Sequence, residues 1–378
     1  MNNTTTPSVL IIDDQPQEQQ SAAAALRLSG LNVQVRPPHE LTSEDLRIAD
    51  VIAIDQYYDW AVVPHPSEVA FWPQDGLALA AVVSRRLANL DSHAAIVLRT
   101  GQLGELARDL PKAARIPLLS AQSSIDWVLE KGDDHTATRI HQIAAAAAAL
   151  RPFTEAEPSW DEGASWLGLS TGAAWEEDAL AEVQVCRPPE HVVAKYTAGT
   201  AWFRWFAHRV LPFPSFLISD LKAAALLGMD ISQFNALLAR PDSALGHQLA
   251  AFAYNGHLSG LVGRRWWRAG IESLVDGLLS EAPVELDVPE ALAEAYTRLQ
   301  GSNVTVLQYD RPVVAIDADY EEVGIVDAHD CLRLAPDFWP VFADEPWALI
   351  EDLQEDTELA GMVARGDRRR LNSLGVTS

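Results

Sequence analysis

The sequence predicts an α/β protein whose amino-terminal part is a doubly wound parallel sheet. A mostly helical domain and a small acidic α+β unit follow it. Three observations carry this reading. First, VLII (from Val9), VIAI (from Val51) and AAIVL (from Ala94) are continuously apolar and each runs into a polar residue, as suits strands buried on both faces. Second, alanine- and leucine-rich stretches of helical period alternate with them, the order that builds right-handed crossovers. Third, a chain of 378 residues with net charge −25 carries +3 over residues 191–280, so a basic island stands apart from an acidic remainder.

Composition narrows the class further. With 48% hydrophobic and 21% charged residues the chain is too apolar for global disorder and long enough for two or three domains. Its acidity opposes generic polyanion binding by the whole molecule while leaving one basic patch open to it. Cys186 and Cys331, far apart, give neither a disulfide framework nor a CxxC metal spacing. MNNTTTPS lacks a basic leader and runs into an apolar stretch too short to span a bilayer, so a cytoplasmic protein with no membrane contact is expected.

Taken in order, residues 1–151 give a strand ending at Asp13 and Asp14, a helix over Gln17 to Ser29, and the strand LNVQVR. The strand ending on Asp55, a helix over Gln74 to Leu90 and the strand ending on Thr100 follow. Two readings of the fifth strand stand: IDWVLEKG, which ends on Lys131, or the earlier IPLLS, which would remove Lys131 from the sheet edge. TRIHQIAAAAAALR is the last helix of this domain.

On the first reading Asp13, Asp14, Asp55, Thr100 and Lys131 share the carboxyl edge, where open α/β sheets bind ligands. Clustered carboxylates repel one another unless a hard cation or a lysine shares them. Phosphoryl transfer to a carboxylate asks for such neutralisation.

These residues resemble the receiver domain of two-component response regulators. The acidic pair matches Asp13 and Asp14 in LIIDDQ, the phosphoacceptor Asp55 in IAIDQ, and the helix-opening P-x-D-G-L Pro73 to Leu77. The strand-end hydroxyl matches Thr100 in VLRTG and the lysine Lys131 in VLEKG. The resemblance implies a flavodoxin-like fold, Mg²⁺ on Asp13, Asp14, Asp55 and the Tyr57 carbonyl, and phosphorylation of Asp55 by a histidine kinase or small phosphodonor. Three departures stand out: the aromatic insertion YYDWAVVPHPSEVAFW after Asp55, expected to act as a lid or docking segment; Lys131-Gly132 where the family has Lys-Pro; and Val128 at the usual aromatic position, with Trp127 one place off.

Residues 152–190, acidic and bearing Trp160, Trp166 and Trp175, read as a connector that partly packs on a neighbour. In 191–280, Trp202, Phe203, Trp205 and Phe206 at helical spacing read as packing, and SDLKAAALLGMDISQFNALLA as two capped helices about a glycine turn. A hairpin with a basic tip and a closing helix are expected after it. This stretch resembles the winged helix-turn-helix of excisionase and MerR-like DNA-binding domains, through Ala225-Leu226-Leu227-Gly228 and through Gly263-Arg264-Arg265 with Arg268. That resemblance implies DNA contact; separately, the residue types fit it, with Ser232, Gln233 and Asn235 to face a groove and Arg264, Arg265 and Arg268 to meet phosphates, the alternative being internal cation–π or ion-pair contacts of these arginines.

Residues 281–378 read as an acidic helix, three strands from VTVLQY, RPVVAID and EEVGIV, and a frayed tail over Arg365 to Arg370. The contiguous His329, Asp330 and Cys331 make a poor chelate, because neighbours in a strand point to opposite faces. No nucleophile–base pair stands out among Asp317, Asp319, Asp327 and Asp330, so an enzyme is not expected. The function expected is a phosphorylation-controlled, DNA-binding transcriptional regulator. The alternative is a receiver-fold scaffold working through protein contacts, including a homodimer, without DNA.

Overall fold

A computed structural model describes residues 6–58, 73–90, 92, 94–150, 164–169, 172–193, 198–283, 285–301 and 303–375. Most of the insertion after Asp55 and the first part of the 152–190 connector, Trp160 included, lie outside these residues. The chain forms two units. One comprises Met1–Leu110, Arg115–Pro158 and Pro188–Arg209; the other comprises Pro111–Ala114, Ser159–Arg187 and Val210–Ser378.

The first unit is built on five parallel strands: β1 (Ser8–Ile12), β2 (Asn32–Arg36), β3 (Val51–Asp55), β4 (Ala95–Thr100) and β5 (Trp127–Glu130). Their order is β2-β1-β3-β4-β5, the flavodoxin-like doubly wound arrangement. All five residues of β3 are buried, as a continuous apolar run requires. The intervening helices are α1 (Gln20–Leu28), α2 (Ser43–Ile48), α3 (Gly76–Leu90), α4 (Leu103–Leu106), α5 (Arg115–Ser123) and α6 (Thr136–Leu150). α6 buries Ile140, Ile143, Ala144 and Ala147, an i, i+3, i+4, i+7 stripe. The strand order reverses between β1 and β3, so the crevice at their carboxyl ends is the switch point where ligands bind in such sheets.

The choice of fifth strand is settled. IPLLS lies in α5, with Pro117 in its first turn, where a missing N–H costs little. IDWVLEKG supplies β5 beside β4, and the Lys131 N–H donates to the Thr100 carbonyl at 2.8 Å.

The boundary at 190 shifts. Pro188–Arg209 belongs to the first unit, where helix Ala198–Trp205 lies against α6. A Cβ on Gly199 would meet the Leu150 carbonyl oxygen at 2.4 Å, so only glycine allows this approach. Trp202, Phe203 and Phe206 are buried in it, as their spacing predicts.

In the second unit, helices Asp220–Leu226 and Ile231–Ala239 turn about Gly228, which sits at φ +63. Ser219 caps the first helix by accepting from the Lys222 N–H, and Asp230 caps the second by accepting from the Ser232 N–H. The expected basic-tipped hairpin is reduced to a single antiparallel bridge, Ala253 with Trp266, closed by bonds from the Tyr254 N–H to the Arg265 carbonyl at 2.8 Å and from the Trp267 N–H to the Phe252 carbonyl at 2.9 Å. Trp266–Trp267 also pairs antiparallel with Leu217–Ile218, about fifty residues upstream, and leads straight into helix Arg268–Ser280. Residues 281–378 share their core with the preceding stretch: Leu292, Tyr296, Val304 and Val306 pack with Ile218, Phe234 and Trp266. The 152–190 stretch is likewise no simple connector, since helix Ala174–Val185 belongs to this unit and Trp175 meets Phe252 and Trp267 edge-on or tilted.

The carboxyl-terminal strands Pro312–Ile316 and Glu322–Asp327 form as expected, and VTVLQY does not. Cys331–Arg333 and Trp347–Leu349 complete a four-stranded mixed sheet. The expected frayed tail is a helix, Arg368–Ser373, preceded by an ion pair from Arg333 to Asp367 at 2.9 Å.

Candidate functional site

Four of the five strands of the first unit each deliver one polar residue to the carboxyl edge of the sheet as their apolar runs end. β1 places Asp13 just past its last residue, 3% exposed, with Oδ1 accepting from the Gln15 N–H at 2.9 Å. β3 ends on Asp55, 4% exposed. β4 ends on Thr100, fully buried, its hydroxyl accepting from the Gln102 N–H at 3.0 Å. Lys131 follows β5.

The central contact is an ion pair, with Lys131 Nζ 2.5 Å from Asp55 Oδ1. The other oxygen, Oδ2, accepts from the Tyr57 N–H at 3.2 Å. Burial raises the pKa of Asp13, and the nearby carboxylates of Asp55 and Asp14 raise it further; the Gln15 N–H and the Lys131 ammonium pull the other way. Four of the five residues are thereby joined electrically, and Thr100 adjoins Lys131 through the β4–β5 ladder.

Gly76, the glycine of the P-x-D-G-L signature, has a steric reason to be one. Its N–H donates to the Gln56 carbonyl at 2.8 Å, and an added Cβ would stand 2.2 Å from the Asp55 carbonyl oxygen. α3 therefore begins directly on the backbone that carries Asp55. Asp75 supports this start by accepting from the Ala78 N–H at 2.8 Å.

Two further residues belong to the site and carry no sequence signal of it. Tyr58 is held far above the ordinary tyrosine pKa, first by burial and then by the carboxylates of Asp55, Asp13, Asp14 and Asp75. Arg99 pairs in register with Asp55 and donates to Gln19 Oε1 at 3.1 Å. Burial lowers its pKa, while Asp55 and Asp13 favour its charge. Both are ordinary strand or loop residues in the sequence; only the packing around them makes them part of the site.

The mutual repulsion around Asp13 fits a cation at this edge. Among the described residues no group of three or more His, Cys, Asp or Glu side chains converges as metal ligands. A hydrated Mg²⁺, which takes one or two carboxylates, suits Asp13 and Asp55 better than a chelate that also draws in Asp14. Tyr57, the expected carbonyl ligand, is half-exposed beside them.

The residues expected to meet DNA lie in the second unit. Ser232 and Asn235 are exposed on helix Ile231–Ala239 and Gln233 is half-buried. The arginines are committed internally. Arg264 forms a two-pronged pair with Asp220 (2.8 and 2.6 Å), donates to Asn235 Oδ1 at 3.1 Å, and lies 5.2 Å from the Trp266 ring centre. Arg265 donates to the Leu211 carbonyl at 3.0 Å, and burial lowers its pKa. Arg268 pairs with Asp344 at 2.7 Å.

No protein-family model and no curated protein sequence matches the chain. Among solved structures, the receiver domain of Francisella response regulator 1452 is similar at 16% identity and TM-score 0.24, over 37% of this chain and 98% of that one. Response regulator ChrA of a heme-sensing two-component system is similar at 14% identity and TM-score 0.23, over 65% and 90%. Scores this low carry no argument; the description of the first unit rests on its own strand order and register. No helix among the described residues is long and apolar enough to cross a membrane.

Proposed function

We propose that the first unit is a receiver-type phosphoacceptor module in which Asp55 takes a phosphoryl group from a histidine kinase or small phosphodonor. The observation that carries this reading is Lys131 Nζ at 2.5 Å from Asp55 Oδ1, at the switch point of a 2-1-3-4-5 parallel sheet. A lysine is a compact point charge suited to a phosphoryl oxygen, and a carboxylate is a competent phosphoryl acceptor. Asp13 and Asp55, with the main chain at Tyr57, would hold Mg²⁺, which when bound neutralises phosphoryl charge. Lys131 would exchange the carboxylate for the phosphoryl oxygens, and the Thr100 hydroxyl stands at the neighbouring strand end. The protein signals in this reading and turns over no substrate of its own.

The output we favour is a protein contact, homodimerisation included, because Arg264, Arg265 and Arg268 all have internal partners. A DNA-binding output keeps support from the glycine-turned helix pair with Ser232 and Asn235 exposed. Duplex DNA titrated at several salt concentrations separates the two, since phosphate contacts impose a steep loss of affinity with salt.

The phosphoacceptor reading is tested by incubating the full chain with Mg²⁺ and a small phosphodonor such as a phosphoramidate. Intact-mass analysis is expected to show one acid-stable, base-labile phosphoryl adduct, absent from Asp55→Asn. No adduct on the wild-type chain, or an undiminished one on the variant, would overturn it.

A further inference from the structure

Arg99 is out of character for its place. It is the fifth residue of β4, in a run that is otherwise apolar up to Thr100, and the fold leaves its side chain only partly exposed. Withdrawing a guanidinium from water costs free energy unless a carboxylate or other acceptors offset it. Two observations show what does so here. First, Arg99 is the register partner of Asp55 across β3 and β4, and the ladder runs on past them, since the Gln56 N–H donates to the Arg99 carbonyl at 3.0 Å. Register partners in neighbouring strands stand about 4.8 Å apart with their side chains on one face. Second, the guanidinium reaches to the start of α1, where it donates to Gln19 Oε1 at 3.1 Å. Gln19 is the N-cap residue of α1 and makes no side-chain capping bond; its amide oxygen serves Arg99 instead.

The charges at this edge are poorly balanced without Arg99. Asp13, Asp14 and Asp55 would face the ammonium of Lys131, which is already paired with Asp55 Oδ1 at 2.5 Å. The carboxylates of Asp55 and Asp13 in turn favour the charged form of Arg99. A fixed positive charge beside such carboxylates has two effects of opposite sign. It repels a divalent cation that needs the same oxygens, and it attracts an anion that approaches them. Lys131 sits on a flexible stem and can exchange partners, whereas the guanidinium is planar and held by Gln19.

We propose that Arg99 is a resident counter-charge of the phosphoacceptor site, which weakens divalent-cation binding and favours an anionic phosphodonor. Arg99 works through Asp55 and is a positioning residue. The proposal rests on the reading of Asp55 as phosphoacceptor. Its cation half is measured with no donor present, so a chain that never becomes labelled still decides that half.

The test titrates the full chain, Arg99→Gln and Arg99→Lys with Mg²⁺, followed by calorimetry and by the rise in melting temperature. Arg99→Gln keeps an amide that can meet Gln19 and loses the charge. It is expected to bind Mg²⁺ about fivefold or more tightly than the wild-type chain. At saturating Mg²⁺, the phosphoramidate concentration that gives half the maximal labelling rate is expected to rise about threefold or more. Arg99→Lys keeps the charge and is expected to return both values to within about twofold of wild type. A packing defect alone would weaken cation and donor together, and lysine would not rescue it. If Arg99→Gln does not fold, Arg99→Met, which keeps the apolar stem, takes its place with the same expectations. Unchanged or weaker Mg²⁺ binding in a folded neutral variant, or an equal gain in Arg99→Lys, would overturn the counter-charge. So would silence up to about 50 mM Mg²⁺ in wild type and variants alike. A donor requirement that stays level or falls would overturn the donor half. An unlabelled wild-type chain would overturn the phosphoacceptor reading and the donor half with it, while the cation shift stands or falls by itself.

Discussion

A Cβ built on Gly76 would stand 2.2 Å from the Asp55 carbonyl oxygen and 2.7 Å from the Gln56 Cα, both fixed backbone atoms. Gly76→Ala must therefore push α3 off β3 and is expected to cost roughly 3 kcal/mol in urea unfolding. Asp13 makes the opposite prediction. Its folded pKa lies above the ordinary aspartate value of 3.8, chiefly through burial, so its ionisation opposes folding once the pH passes that value. Asp13→Asn is expected to stabilise the chain at neutral pH, with the gain vanishing well below pH 4. Denaturant midpoints measured across that range check the sign, and a gain that persists unchanged in acid would contradict it. At this scale the sequence showed the acids and the lysine, because each ends an apolar run. Tyr58 and Arg99 stayed hidden, because their roles come from burial by elements distant in the chain.

Among the elements, those written in local pattern were legible and those made by distant pairing were not. Ser219 and Asp230 cap their helices where the residue types suggest, and Asp230→Ala is expected to cost about 1 kcal/mol of thermal or urea stability. Its carboxyl sits below the usual range because the Ser232 hydroxyl and N–H bond it, so this contribution fades as acid protonates the cap. The apolar run IPLLS was ambiguous because five residues fit a strand or a buried turn of helix equally well. Trp266–Trp267 looked like a hairpin arm because local turn residues precede it; the local pairing is one bridge to Ala253, and its strand partner lies about fifty residues back. The tail over Arg365 to Arg370 reads as frayed from its charge alone. In the fold Arg370 donates to the carbonyls of His329 and Cys331, which anchors it.

For the whole molecule, a net charge of −25 makes self-repulsion a general term, so added salt is expected to raise the melting temperature before any specific ion acts. The second unit adds a pH dependence of its own. Glu182 is pushed up to about 7, first by burial and then by Glu272, Asp344 and Asp178, against the pull of Arg268. A carboxyl raised in this way destabilises the fold as pH climbs from its unfolded value near 4.5 through about 7, by at most about 3 kcal/mol. Glu182→Gln is expected to flatten that decline between pH 5 and pH 8, read by chemical denaturation; an unaltered slope would show that Glu182 is not its source. The domain plan was legible at the amino end, where a parallel sheet repeats one unit of pattern. It was not legible beyond residue 190, where Pro188–Arg209 returns to the first unit and residues 281–378 close the core of the second.

β5 is an outer strand of its sheet, four residues long, and each end is pinned by a charge pair: Asp126 with Arg204 before it, Lys131 with Asp55 after it. An outer strand offers unsatisfied main-chain groups to any passing chain, and the common hazard is slippage followed by intermolecular stacking. A slip of one residue here would part both pairs together and turn Trp127 and Leu129 out of their faces. The two ion pairs thus act as a registration lock, and removing one is expected to show itself in solution first as aggregation on heating, before catalytic or signalling assays register any change.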